Sequence, residues 1–207
     1  MYEITAITPQ IKDKTRCNIF IDGRFYCGLT LETVLKYRLK VGLTADPAFL
    51  SKIQLESEKS VALDKALTHI SATRKTEKQI RDFLSGKGYL PAVVEFVLEK
   101  MRGYNFLNDT EYAESYISAV GGRKGERLIR MELKAKGVSD GEIDLALEGL
   151  DSETQENACF QILQKYMRGK GTDKETLSKA FRYLMSKGFD YEIAKNALRR
   201  FGELDDE

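Results

Sequence analysis

Leu133-Lys134-Ala135-Lys136-Gly137-Val138 decides the fold, because the same signal stands at Leu84-Ser85-Gly86-Lys87-Gly88-Tyr89 and at Leu184-Met185-Ser186-Lys187-Gly188-Phe189. A leucine, two residues, Lys-Gly and a large apolar residue read as the end of a helix. Glycine just past the last turn relaxes into the left-handed backbone, and the next residue folds back onto the leucine one turn inside. The three glycines, at 88, 137 and 188, are spaced by 49 and 51 residues, so the ending is a tandem repeat. Arrays of helical repeats usually hold another macromolecule and rarely enclose a reaction.

Outward from these endings, everything from Val61 onward reads as helix, with three helices per repeat. The first repeat is predicted near 61–73, 76–87 and 91–102, and the second near 108–121, 124–136 and 139–149. The third is predicted near 152–168, 173–187 and 190–200. Thr76-x-x-Gln79, Ser139-x-x-Glu142, Ser152-x-x-Gln155 and Thr172-x-x-Glu175 have capping-box form at helix starts. Ile80, Ile129 and Ala180 align between copies, as do Leu98, Leu147 and Leu198, then Met101, Leu150 and Phe201, which predicts a shared core.

The first sixty residues differ. Tyr2 to Ile7 alternates weakly, and Cys17–Ile21 and Arg24–Cys27 flank Asp22-Gly23, a two-residue hairpin turn. A three-stranded antiparallel sheet is predicted, then a short helix over 31–40 ended by Gly42, an interruption at Pro47, and a second helical stretch over 48–58. In that hairpin register Cys17 pairs with residue 28 and Cys27 faces Asn18. The two thiols then lie on opposite faces, and no disulfide is predicted. The fold class is mainly α: a tandem array of three three-helix repeats, right-handed and solenoid-like, with a small N-terminal sheet-plus-helix unit. The predicted boundaries are 1–60, 61–103, 104–151, 152–202 and an acidic, disordered tail at 203–207.

Composition excludes several classes. The 207 residues carry 33 basic and 32 acidic groups, a net charge of +1, which argues against a surface built throughout to coat nucleic acid. No apolar run is long enough to span a membrane, no signal peptide is evident, and three cysteines fit a reducing cytoplasm. His69 is the only histidine. With scattered cysteines it assembles neither a zinc site nor a nucleophile, so no catalytic residue, metal or cofactor is predicted. Gly121-Gly122-Arg123-Lys124-Gly125 lacks the Lys-Ser/Thr ending of a phosphate loop and reads as an inter-helix turn.

Charge is informative by region. Arg123, Lys124, Arg127, Arg130, Lys134 and Lys136 stand against Glu126 and Glu132 over 123–136. Arg123, Arg127, Arg130 and Lys134 fall at steps of four, three and four, one helical stripe. Arg74, Lys75, Lys78 and Arg81 occupy the corresponding helix of the first repeat, and Lys174, Lys179, Arg182 and Lys187 that of the third. One such helix is an ordinary solvated face. Its recurrence in three repeats supports a basic surface for phosphates or an acidic protein. Acidic residues gather apart from it, at Asp140, Glu142, Asp144, Glu148, Asp151 and Glu153.

The segment Gly103-Tyr104-Asn105-Phe106-Leu107-Asn108-Asp109-Thr110-Glu111-Tyr112-Ala113, followed by Arg123-Lys124-Gly125, Ile129, Glu132-Leu133 and Lys136-Gly137, resembles the central signature of the RecX family of bacterial RecA regulators. Ala66-Leu67 and Arg74-Lys75-Thr76-Glu77 are similar to that family's first repeat. The resemblance covers about residues 60–201, and the N-terminal sheet resembles the extension of longer members. It implies a non-enzymatic protein that binds the RecA–DNA filament in its groove and modulates, chiefly inhibits, strand exchange and ATP hydrolysis; the chain is expected to be cytoplasmic and monomeric. Asn108 and Asp109 match the signature, and both are read as caps of the helix starting there. The alternatives are a stand-alone DNA-binding protein and a generic helical scaffold.

Overall fold

A computed structural model of the chain describes residues 1–11 and 13–205. It comprises β1 (Tyr2–Pro9), β2 (Arg16–Ile21), β3 (Arg24–Thr30), α1 (Leu31–Lys36), β4 (Thr44–Ala45) and α2 (Pro47–Ile70). Then follow α3 (Glu77–Gly86), α4 (Pro91–Gly103), α5 (Asp109–Val120), α6 (Glu126–Ala135), α7 (Asp140–Leu147), α8 (Ser152–Met167), α9 (Lys174–Ser186) and α10 (Tyr191–Asp205). Two compact units result. One joins Met1–Arg74 with Ile80–Phe106, and the other joins Lys75–Gln79 with the chain from Leu107 onward.

The N-terminal sheet has four antiparallel strands in the order β3-β2-β1-β4, one more than the sequence predicts, because Tyr2 and Glu3 pair with Ala45 and Thr44. Asp22 and Gly23 take φ of 47° and 78°, the doubly left-handed hairpin turn expected of Asp-Gly. Ile21 pairs with Arg24 as predicted. A bulge then shifts the register, so Cys27 faces Ile19 rather than Asn18. Cys17, Ile19, Ile21, Cys27 and Leu29 consequently all lie on the buried face, and both thiols are free. The two thiols therefore share a face, contrary to the sequence reading, but they are not opposite one another, since Cys17 pairs with Leu29 and Cys27 with Ile19. Burial pushes the Cys27 thiol up to about 11.

Sheet and α2 share a core of Ile4, Ile19, Leu29, Leu50 and Ile53. The interruption predicted at Pro47 is there, since α2 starts at that residue, but the separate helices predicted over 48–58 and 61–73 are one unbroken helix. Asp46 caps the helix by accepting from the Phe49 N–H at 2.7 Å, Pro47 occupies the first turn where its missing N–H costs nothing, and no glycine or proline stops the helix before residue 70. α1 ends at Lys36, short of the predicted residue 40. α10 runs on to Asp205, so the start of the acidic tail is helical, while its last two residues lie outside the described region.

Three three-helix repeats follow one another along the chain, and each Lys-Gly ending closes as argued. The Tyr89, Val138 and Phe189 N–H groups donate to the carbonyls of Leu84, Leu133 and Leu184 at 3.3, 3.1 and 3.4 Å. Gly88, Gly137 and Gly188 have φ of 83°, 93° and 86°. Leu84, Leu133 and Leu184 are fully buried, as are Ile80, Ile129 and Ala180. The lysine has a role that its sequence position did not suggest. Lys87, Lys136 and Lys187 lie over the rings of Phe83, Tyr116 and Tyr183 at 4.9, 5.5 and 5.2 Å, so the cation rests on an aromatic carried by its own repeat.

Two of the four capping boxes form. Thr76 exchanges hydrogen bonds with Gln79, and Ser139 with Glu142. At the other two starts a neighbouring aspartate takes the cap: Asp151 holds the Thr154 N–H at 2.6 Å, and Asp173 holds those of Glu175 and Thr176 at 3.0 Å. Carboxylates cap at least as well as hydroxyls and complement the helix dipole, so the adjacent Ser152 and Thr172 lose the competition.

Inside the second compact unit, the second helix of one repeat starts against the Lys-Gly turn of the next. Thr76 Oγ1 donates to the Lys136 carbonyl at 2.6 Å, and the Gly125 N–H donates to the Lys187 carbonyl at 2.9 Å. A side chain from the next repeat's first helix completes each junction. Asp109 accepts from the Glu77 N–H at 3.0 Å, and Gln155 accepts from the Glu126 N–H at 3.1 Å. Gln155 is buried, and its amide also donates to the Gly121 and Lys124 carbonyls at 3.0 and 3.3 Å. Asp109 therefore caps the preceding repeat, not its own helix as the sequence suggests. Asn108 alone caps α5, accepting from the Glu111 N–H at 3.1 Å.

Candidate functional site

α6 begins at Glu126 with Gly125 as its N-cap, so Arg123 and Lys124 sit in the preceding turn rather than on the predicted helix. Gly125 has an ordinary φ of −78°, yet no side chain fits there. An added Cβ would stand 2.2 Å from the Gly188 carbonyl carbon and the Phe189 nitrogen. The glycine-rich, basic run is therefore a turn shaped by close backbone approach to the third repeat.

The proposed basic stripe is divided by the structure. Lys124 is half-buried, its ammonium held by both Glu132 oxygens at 2.6 and 2.7 Å beside Tyr116. The Glu132 contact raises the Lys124 pKa above its ordinary value. Burial pushes the Glu132 carboxyl up, but hydrogen bonds from Lys124 and Tyr116 outweigh it and hold the group below the usual carboxylate range. Arg130 pairs with Asp144 at 2.5 Å and Glu126 at 3.3 Å, and Lys134 pairs with Asp140 at 2.6 Å. The acidic run read as lying apart from the stripe thus supplies α7 carboxylates that neutralise half of it. Three-residue spacing on separate helices does not reveal this, because it depends on how α6 and α7 cross.

Arg123 and Arg127 stay exposed. Arg123 donates to the Ala119 carbonyl at 2.9 Å, and among the described residues neither reaches a carboxylate. Arg127 occupies the first turn of α6, where a cation opposes the helix dipole, so helix stability does not account for its charge. In the third repeat Lys174, the first residue of α9, and Arg182 are likewise exposed without an acidic partner, whereas Lys179 pairs with Glu175 at 2.7 Å. In the first repeat Arg81 pairs with Glu95, and Arg74, Lys75 and Lys78 each engage a neighbouring group. Arg74 and Lys75 precede α3 rather than belonging to it. Of the candidate cations in the second compact unit, Arg123, Arg127, Lys174 and Arg182 therefore stay open.

Titratable groups elsewhere are tied to structure. His69 stacks on Phe83 at 3.9 Å with the planes 2° apart, and burial pushes the Cys159 thiol up to about 12, so it stays protonated and inert. Burial likewise raises the Asp109 carboxyl, against the hydrogen bond from Glu77. Among the described residues no group of three or more metal-ligating side chains comes together, and no helix is long and apolar enough to cross a membrane.

The four structural pieces each match a family description. Residues 2–46 match the regulatory protein RecX N-terminal domain, and 62–101, 108–147 and 151–198 match the first, second and third RecX three-helix domains. The chain belongs to the RecX family. It is 32% identical to the regulatory protein RecX of Clostridium perfringens (strain 13 / Type A), over 97% of this chain and 96% of that one. The RecX of Bacillus subtilis (strain 168) is 29% identical over 99% of this chain and 79% of its own. A crystal structure of regulatory protein RecX superposes with a TM-score of 0.72 at 27% identity, covering 94% of this chain and 98% of that one. RecX from Lactobacillus salivarius shares the fold, with a TM-score of 0.64 over 69% of this chain and 96% of its own. The relatives are named as regulatory proteins, and the mainly helical class with an N-terminal sheet is the family's fold.

Proposed function

We propose that this RecX-family chain regulates a RecA-type recombinase in the cytoplasm, binding the RecA–DNA filament as a monomer and inhibiting strand exchange and ATP hydrolysis without catalysing a reaction itself. The observation that carries the reading is the match of all three repeats and the N-terminal sheet to the RecX family. The open cations Arg123, Arg127, Lys174 and Arg182 are each suited to phosphates or acidic protein, and the net charge of +1 favours a partner that contributes protein contacts over bare DNA.

The test is DNA-dependent ATP hydrolysis and strand exchange by the recombinase of the same organism, titrated with the chain. Suppression is expected well below one chain per recombinase subunit. The double variant Arg123→Glu with Arg127→Glu should require at least tenfold more protein while melting like the wild type. Unchanged activities, together with tight and steeply salt-dependent binding to bare DNA, would replace the filament reading with stand-alone DNA binding.

A further inference from the structure

Two of the three Lys-Gly turns receive a helix start, and the third does not. A Cβ on Gly137 would meet the Lys78 side chain at 2.3 Å, and one on Gly188 would meet Leu128 at 2.4 Å, because α3 and α6 begin against them. A Cβ on Gly88 would meet nothing within 4 Å. Among the described residues no donor reaches the Lys87 or Gly88 carbonyl, the groups whose counterparts Lys136, Lys187 and Gly188 accept from Thr76, Gly125 and Arg127. Lys87 instead lines a cleft of about 500 Å³ with Asp64, Lys65, Thr68, His69 and Phe83. Asp64, exposed well inside α2, adds a carboxylate to that lining, whereas Asp109 opens α5 and Gln155 lies in the first turn of α8.

We propose that this cleft is a receptor for the first turn of an α-helix from the recombinase, which rests on the filament reading above. Lys87 and Gly88 present carbonyls to the helix N-cap, and Asp64 accepts from the N–H that follows. The incoming sequence is predicted by what the chain places in its own junctions: Thr76-Glu77-Lys78 and Gly125-Glu126-Arg127, a hydroxyl or glycine at the cap, then an acidic and a basic residue. In a second copy of this chain the third repeat's equivalent helix start is not free. Thr176 stands eleven residues before Lys187, as Thr76 and Gly125 stand before Lys87 and Lys136, but α9 starts an extra turn earlier. Asp173 there takes both the Thr176 N–H at 3.0 Å and its hydroxyl at 2.6 Å, so that end of the array is closed by the chain itself.

The experiment uses the full chain and the recombinase assembled on single-stranded DNA. Asp64→Lys and Thr68→Trp are both exposed changes, and each should weaken filament binding at least tenfold with the melting temperature unchanged. A photo-crosslinking residue in place of Lys65 should map to the first turn of a recombinase helix. Wild-type affinity of both variants, or a crosslink to a strand or mid-helix segment, overturns the receptor while leaving filament regulation intact. Absence of filament binding by the wild type removes both readings. Sedimentation that shows head-to-tail polymers abolished by Asp64→Lys would assign the cleft to a second copy, and overturn the proposal.

Discussion

The Lys87–Gly88 and Lys187–Gly188 turns have the same backbone and the same buried leucine, yet one stands in open space and the other carries the start of a neighbouring repeat's helix. The difference separates two reasons for a glycine. At 88 only the left-handed φ requires it. At 188 the close approach of Leu128 requires it as well, and at 125 close approach alone does so, since φ is ordinary there. One sequence signal therefore marks a helix end everywhere and a repeat junction only where a second helix comes to it.

Gly188→Ala should break the loaded turn most severely, costing at least about 3 kcal/mol, from a left-handed penalty plus overpacking against Leu128. Urea unfolding of the whole chain reads it, and a loss below that of Gly88→Ala would show that the junction can open without cost. Gln155→Leu tests the same junction from its polar side. Without the amide, the Gly121 and Lys124 carbonyls and the Glu126 N–H lose their buried partner, and a loss of about 2 kcal/mol is expected. A neutral result would place water at the site. Gly125→Ala changes no backbone preference, so its predicted cost of about 2 kcal/mol is overpacking alone. Gly88→Ala should cost only about 1 kcal/mol, the left-handed penalty without any clash.

These junctions also show what the sequence could and could not convey. Helix ends and the fully buried Ile80, Ile129, Leu84 and Leu133 were legible because capping and periodicity are local. The hairpin turn was legible for the same reason, but the bulge that turns Cys27 inward was not, since no residue type marks it. Gln155 looked like the partner of Ser152 at capping-box spacing, and only the packing of α8 against the 121–125 turn reveals it as the junction's buried amide. Among the candidate cations, Arg127 and Lys134 look alike in sequence. Asp140 separates them, and that contact depends on the crossing of α6 and α7.

The smallest effect refines the comparison at the position four residues before each Lys-Gly lysine. The first and third repeats place aromatic Phe83 and Tyr183 there, and the second places Glu132, which trades ring stacking for the Lys124 and Tyr116 hydrogen bonds. The folded Glu132 carboxyl titrates below its ordinary value, so its stabilisation is complete above the unfolded carboxylate range and is lost as pH falls through the folded value. The Lys124 ammonium titrates above its ordinary value, so its share is present below the unfolded lysine range and is lost only as pH rises through the folded value. Between these limits Glu132→Gln should cost about 0.5–1 kcal/mol, the scale of a partly exposed ion pair. The deficit should shrink towards zero when unfolding is repeated in acid, where the wild-type carboxyl is also neutral. A deficit that stays constant with pH would mean that the glutamate acts through packing, as the aromatics do in the other two repeats.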